Sequence, residues 1–142
     1  AVMLPRLQQV RLGASAAAQV RRMVVELVPC LSDNYCPVIH DPETKATAVV
    51  DTPEFEPIHS LLTRRGWSLT HILNTHHHHD HVGANEALQD RYPVARVVGA
   101  AHDASRIPRI QDHVAPGDEV KVGGLRAVVV DVAGHTRGHI AY

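Results

Sequence analysis

The stretch Asn74-Thr75-His76-His77-His78-His79-Asp80-His81 limits what this chain can be more than any other feature. Four consecutive histidines suit an expression tag, a loose metal-scavenging tract or the ligand loop of a metalloenzyme. A tag sits at a terminus between linker residues. This run is internal, follows the apolar stretch "LTHILN" at residues 69–74 and precedes a helical pattern from Gly83 to Tyr92, so a tag is excluded. Side chains of an extended backbone alternate sides, which sends His76 and His78 one way and His77 and His79 the other. Two imidazoles therefore converge. Asp80 and His81 follow at the turn into a helix, where a carboxylate and another imidazole can reach a neighbouring point. The pattern is His-x-His-x-Asp-His.

Catalytic zinc is held by three protein ligands at roughly 2.0–2.2 Å, with a further position left for water. Two histidines in one loop thus need a third donor from elsewhere. His135 in "VAGHTRGHIAY" is best placed, because it stands just past an apolar strand that can aim it rigidly, and His139 is the rival in the same segment. Gly134 and Gly138 flank that segment and permit close backbone approach. A lone histidine after a strand is more often structural than a ligand. The presence of the first motif reverses that expectation for His135.

The rest of the chain reads as short strands alternating with short helices. "VVELVPC" at residues 24–30 and "YCPVIH" at 35–40 flank the turn-rich "LSDN" as a hairpin, and "ATAVVD" at 46–51 is a third strand. "FEPIHSLLTRRG" has helical apolar spacing with Gly66 as its stop. "ARVVGA" is a strand, residues 102–110 are a short helix or loop, and "DEVKV" and "LRAVVVDVAG" are strands around the turn at Gly123-Gly124. A length of 142 residues suits one domain. Five aromatics leave its core largely aliphatic.

Charge is unevenly placed. Residues 1–25 carry four arginines and no acid, whereas residues 26–142 hold ten basic and fifteen acidic side chains. A mildly acidic body argues against nucleic acid as a partner, because phosphate binding needs a concentrated basic face. No apolar run approaches the roughly 20 residues that span a bilayer, so no membrane association is expected. Residues 1–22 have the composition of a mitochondrial or other organellar transit peptide, or of a frayed terminus, with the domain itself over 23–142. A cytoplasmic location is the alternative. Cys30 and Cys36 match no zinc-finger or redox spacing and are expected to be reduced. Oligomeric state is not encoded in any legible feature.

"THHHHDH" with "GHTRGHIAY" resembles the metallo-β-lactamase superfamily, and "LSDNYCPVI" makes the likeness specific to the glyoxalase II (hydroxyacylglutathione hydrolase) family. The resemblance runs from about Val24 to Tyr142. It implies an α/β fold, the amino-terminal half or so of an αββα sandwich. It also implies that His76, His78 and His135 hold one metal, that Asp80 and His81 hold a second, and that His77, His79 and His139 lie outside the ligand set. The implied cofactors are two divalent metals, zinc first, with iron and manganese also suited to imidazole and carboxylate donors. The implied substrate is a glutathione thioester such as S-lactoylglutathione, hydrolysed to lactate and glutathione in methylglyoxal detoxification. Paired metals can make a nucleophile of water near neutral pH. The leaving thiol has an ordinary pKa of about 8.5, so no strong general acid is needed and Asp80 acts in catalysis as a ligand rather than a proton shuttle. Asp51, ending a strand, either orients a ligand imidazole or serves only as a turn residue.

The sequence also departs from that family. Relatives carry a bridging aspartate and another histidine well downstream of the position matching His135, and seven residues follow it here. The expected site is therefore a complete first triad and two ligands of the second. Ala133-Gly134 stands where relatives commonly have a proline. The expected alternatives are a truncated, non-catalytic metal-binding remnant and a persulfide dioxygenase-like iron enzyme, the latter opposed by the early Asp-Asn-Tyr.

Overall fold

The computed structural model describes residues 22–142, so the transit-peptide expectation lies almost wholly outside the described residues. Strands β1 (Val24–Cys30) and β2 (Asn34–His40) form the expected hairpin, in register from Val24 opposite His40 to Cys30 opposite Asn34. Strand β3 (Thr47–Val50) pairs antiparallel with β2. From there the sheet turns parallel: β3 pairs with β4 (His71–Leu73), β4 with β5 (Arg96–Ala100), and β5 with β6 (Asp112–Val114). Parallel neighbours need crossovers, which two α-helical connections supply and, between β5 and β6, a segment that opens with the 3-10 turn Ala101–Asp103. Helix α1 (Phe55–Arg65) joins β3 to β4, while α2 (His79–Val82) and α3 (Asn85–Arg91) join β4 to β5.

Helix α1 follows its sequence signals. Glu56 lies in the first turn and Arg64 and Arg65 in the last, complementing the helix dipole, and Gly66 closes it in the left-handed conformation at φ 66°. Ile58, Leu61 and Leu62 face inward. The period-two alternation of the strands divides the apolar residues between two cores. Val49, Ile72 and Val97 meet Ile58, Leu62 and Leu88 on the helical face, together with the buried free thiols of Cys30 and Cys36. Ala48, Leu73 and Val98 point to the opposite face. There they meet Val120 and Val122 of β7 (Glu119–Val122), together with Val129 and Ile140. Truncating Leu62 to alanine would leave a cavity on the first face at a cost of about 2–5 kcal/mol.

The second face has a thinner cover. Strand β7 pairs with β8 (Leu125–Val128), and β9 (Val130–Asp131) pairs with β10 (Ile140–Ala141) as a ladder of two residues per strand. The long apolar run "LRAVVVDVAG" is thus broken at Val129, which is buried while Val128, Val130 and Val132 are exposed. The β7–β8 hairpin is tied to the main sheet by Asp41, whose Oδ2 accepts from the Gly124 amide at 2.8 Å and from the Thr44 hydroxyl at 2.7 Å. Next to Asp41, His40 stacks on Trp67 with ring centroids 4.2 Å apart. Among the described residues no helix is long and apolar enough to cross a membrane.

Candidate metal centre

In a parallel sheet, sites form beyond the carboxyl ends of the strands. Three such ends converge here. Strand β3 delivers Asp51, β4 delivers Asn74 to His81, and β5 runs into a short 3-10 helix, Ala101–Asp103. The loop after β4 is fixed from beneath by buried amides. Asn74 Nδ2 donates to the His81 carbonyl at 3.0 Å, and Asn85 Nδ2 donates to Asn74 Oδ1 at 2.7 Å. The Thr52 hydroxyl donates to Asn85 Oδ1 at 2.6 Å. Such a network rigidifies because each buried polar group is satisfied.

His76 and His78 do point the same way, and the loop between β9 and β10 brings His135 to them. His78 Nδ1 lies 3.2 Å from His76 Nε2 and 3.0 Å from His135 Nε2, and one donor atom from each of the three lies within 4.8 Å of the others. Nitrogens around a tetrahedral ion at 2.0–2.1 Å are about 3.3 Å apart, so His78 already stands near coordination spacing from each of the other two. The three imidazoles therefore fit a single cation. His76 is buried, with 1% exposure, whereas His135 is exposed. Burial, with His81 and His139 close by, pushes the His76 pKa down to about 4, which keeps its lone pair available at neutral pH.

Asp51 fixes which nitrogens are available. Its Oδ1 accepts from the Thr75 amide at 2.8 Å; its Oδ2 accepts from the Thr75 hydroxyl at 2.7 Å and from His81 Nδ1 at 2.7 Å. Thr75 Oγ1 in turn accepts from His76 Nδ1 at 3.0 Å. Both histidines are thereby held with Nε2 free, which is the orienting role metal-bound imidazoles require. The hydrogen bond to Asp51 raises the His81 pKa. Asp51 is also a turn residue, at φ 59°, so the two roles considered for it coincide.

Asp80 and His81 form a pair beside the triad. Asp80 Oδ2 lies 3.3 Å from His81 Nε2, and the His81 ring is 4.1 Å from that of His76. Asn34 Nδ2 donates to Asp80 Oδ2 at 3.1 Å and holds its pKa below the usual carboxylate range, so Asp80 is ionised and not a proton donor at neutral pH. This gives the Asp-Asn-Tyr segment a physical task. His79 is exposed on α2, and His77 turns away to Asp103. The His139 ring packs 4.5 Å from His76, and its buried Nδ1 has no hydrogen-bond partner among the described residues. Neither Asp103 nor the Asn74–Asn85 pair is signalled by its neighbours in the chain, because their partners lie 26 and 11 residues away.

Residues 38–142 match the family model described as metallo-beta-lactamase superfamily. The chain is 53% identical over 115 residues to a hydroxyacylglutathione hydrolase of Ruegeria pomeroyi, covering 81% of this chain and 45% of that protein. It is 54% identical over 119 residues to one of Rhodopseudomonas palustris, covering 83% and 46%. The chain thus spans somewhat under half the length of these relatives. Among solved structures, ETHE1 from Myxococcus xanthus superposes with a TM-score of 0.70 at 32% identity, covering 82% of this chain and 52% of that one. The B3 metallo-beta-lactamase BJP-1 of Bradyrhizobium japonicum gives 0.71 at 20% identity, covering 82% and 52%, a likeness of fold alone.

Proposed function

Because this chain belongs to the metallo-β-lactamase superfamily, we propose that the whole protein is a metal-dependent hydrolase of glutathione thioesters. The convergence of His76, His78 and His135 carries the metal-dependent part. The curated relatives at about half identity, named hydroxyacylglutathione hydrolase, support the substrate class. S-lactoylglutathione is the proposed substrate, which would make the reaction a step of methylglyoxal detoxification, and the arginine-bearing first residues support an organellar address.

In this proposal the three imidazoles hold the first cation, zinc by preference, and Asp80 with His81 contribute to a second. When bound, such ions supply a nucleophile from water near neutral pH and polarise the carbonyl under attack. The chain's own residues prepare for that chemistry. Asp51 fixes the His81 tautomer directly and the His76 tautomer through Thr75. Asn34 keeps Asp80 anionic and directed at the site. No residue here is placed as a strong general acid, and a thioester needs none, since a thiol of pKa about 8.5 leaves readily as thiolate.

The test is thiol release from S-lactoylglutathione by the purified full-length protein with zinc restored. Turnover that disappears with a chelator and returns with metal is expected. No turnover, or equal turnover of thioesters lacking glutathione, would overturn the substrate class.

A further inference from the structure

Of the three histidines outside the proposed ligand set, His77 is held at both ring nitrogens. His77 Nδ1 donates to Asp103 Oδ2 at 2.8 Å, while Arg106 Nη1 donates to His77 Nε2 at 3.1 Å. Arg106 Nη2 also donates to Asp103 Oδ1. Each nitrogen of His77 is thus committed to a protein partner, which leaves the ring no lone pair for a cation. Asp103 has 0% exposure although it follows a strand end and carries a charge. A buried carboxylate is tolerated when hydrogen bonds compensate it, and three of its contacts are to groups that matter for position.

The third contact is to the other ligand-bearing segment. A Cβ placed on Gly138 would lie 2.5 Å from Asp103 Oδ1 and 2.9 Å from His102 Cδ2, so the backbone between His135 and His139 rests directly against this carboxylate. Asp103 therefore touches both loops that supply the triad: the loop after β4 through His77, whose neighbours are His76 and His78, and the β9–β10 loop through Gly138. These two loops are 57 residues apart at their closest ligands, His78 and His135.

We propose that Asp103, gripped by His77 and Arg106 and pressed by Gly138, is a positioning residue that sets the distance of His135 from His76 and His78. The inference rests on the reading that those three histidines hold a cation. It adds that their mutual spacing is governed by a buried ion-paired post outside the ligand set, on the side of the loop opposite Asp51. Loss of the His77 donor would let Asp103 turn towards Arg106 alone, releasing the Gly138 segment and with it His135.

The experiment uses cobalt(II) as the probe, with the dissociation constant taken by chelator competition and the geometry by the visible d–d bands. His77→Leu is expected to raise the dissociation constant about tenfold, the lower end of the range for groups that support metal ligands, and to shift the bands. His77→Asn retains an N–H where Nδ1 stood and is expected to restore most of both. Gly138→Ala, which pushes on the same carboxylate from the other side, is expected to reproduce the band shift. A role in folding alone would lower thermal stability of the metal-free protein without this rescue pattern. Wild-type affinity and bands in His77→Leu, or equal losses in the leucine and asparagine variants, would overturn the proposal. Should His77→Leu fail to fold, Arg106→Leu decides: its side chain is half-exposed, and an affinity weaker by about fivefold, as for one lost hydrogen bond, supports the proposal, while no change overturns it. Wild-type protein that binds no cobalt would instead defeat the metal assignment beneath it.

Discussion

The two segments that supply the triad differ in how they are supported. The loop from Asn74 to Val82 sits on buried amides and on Asp51, with His76 almost wholly enclosed. The segment from Val130 to Tyr142 is exposed over Val130–His135 and is joined to the first mainly by the Ile140 amide donating to the Thr75 carbonyl at 3.0 Å and the Tyr142 hydroxyl donating to the Asn74 carbonyl at 3.1 Å. One half of the site is built into the sheet. The other is suspended from it by a two-residue ladder and a few contacts. A cation bridging both would therefore order the second half far more than the first, because binding free energy goes where ordering is still incomplete.

The largest expected effect breaks the comparison outright. His78→Ala and His135→Ala each should reduce bound metal from about one equivalent to none after dialysis, since three ligands are the minimum for a catalytic site; elemental analysis decides. Retention of a full equivalent in either would show that the two segments do not share an ion. Next comes Asp51→Ala, which strips three hydrogen bonds from the supported half. Chemical denaturation should show a loss of about 3 kcal/mol, and metal affinity should fall about 10–100-fold. A variant of His135 should leave denaturation of the metal-free protein nearly unchanged.

A smaller effect concerns motion. Amide hydrogen exchange in metal-free protein should be on the order of tenfold faster across Val130–His139 than across β4, and zinc should slow the former preferentially. Uniform protection would mean the suspended segment is as rigid as the built one. The smallest effect is acid sensitivity of the second face. Asp41, which tethers the β7–β8 hairpin, has its pKa lowered to about 2 by hydrogen bonds from Gly124 and Thr44. A carboxyl depressed on folding contributes stability that is complete above its ordinary pKa of about 3.9 and is lost as pH falls towards the folded value. Resonances of β7 and β8 should therefore broaden between about pH 4 and 2, and Asp41→Asn should abolish that acid step.

The supported half of the candidate site was legible in the sequence because its candidate ligands are local. His76, His78, Asp80 and His81 lie within six positions, and the apolar strand before them dictates where they emerge. Helix α1 ended at Gly66 as its apolar spacing and glycine foretold. Where strands are short and their pairing is distant, legibility fell. The pattern from Gly83 to Tyr92 is helical only from Asn85 to Arg91, preceded by the one-turn α2 that begins at His79. Strands β6 and β10 carry three and two residues, too few to show a period. Asp103 was invisible for a different reason: its burial comes from His77 and Gly138, at separations of 26 and 35 residues, and nothing beside it in "AAHDASR" announces either partner.

Trp67 is the sole tryptophan in the sequence, and it lies flat against His40, which pairs with the first residue of β3, at the end of the strands opposite the histidine cluster. Its emission is consequently an internal optical gauge of the main sheet alone. A fluorescence melt would report collapse of β2 and α1, blind to whether an ion occupies the other end, so the two events can be timed separately in one cuvette.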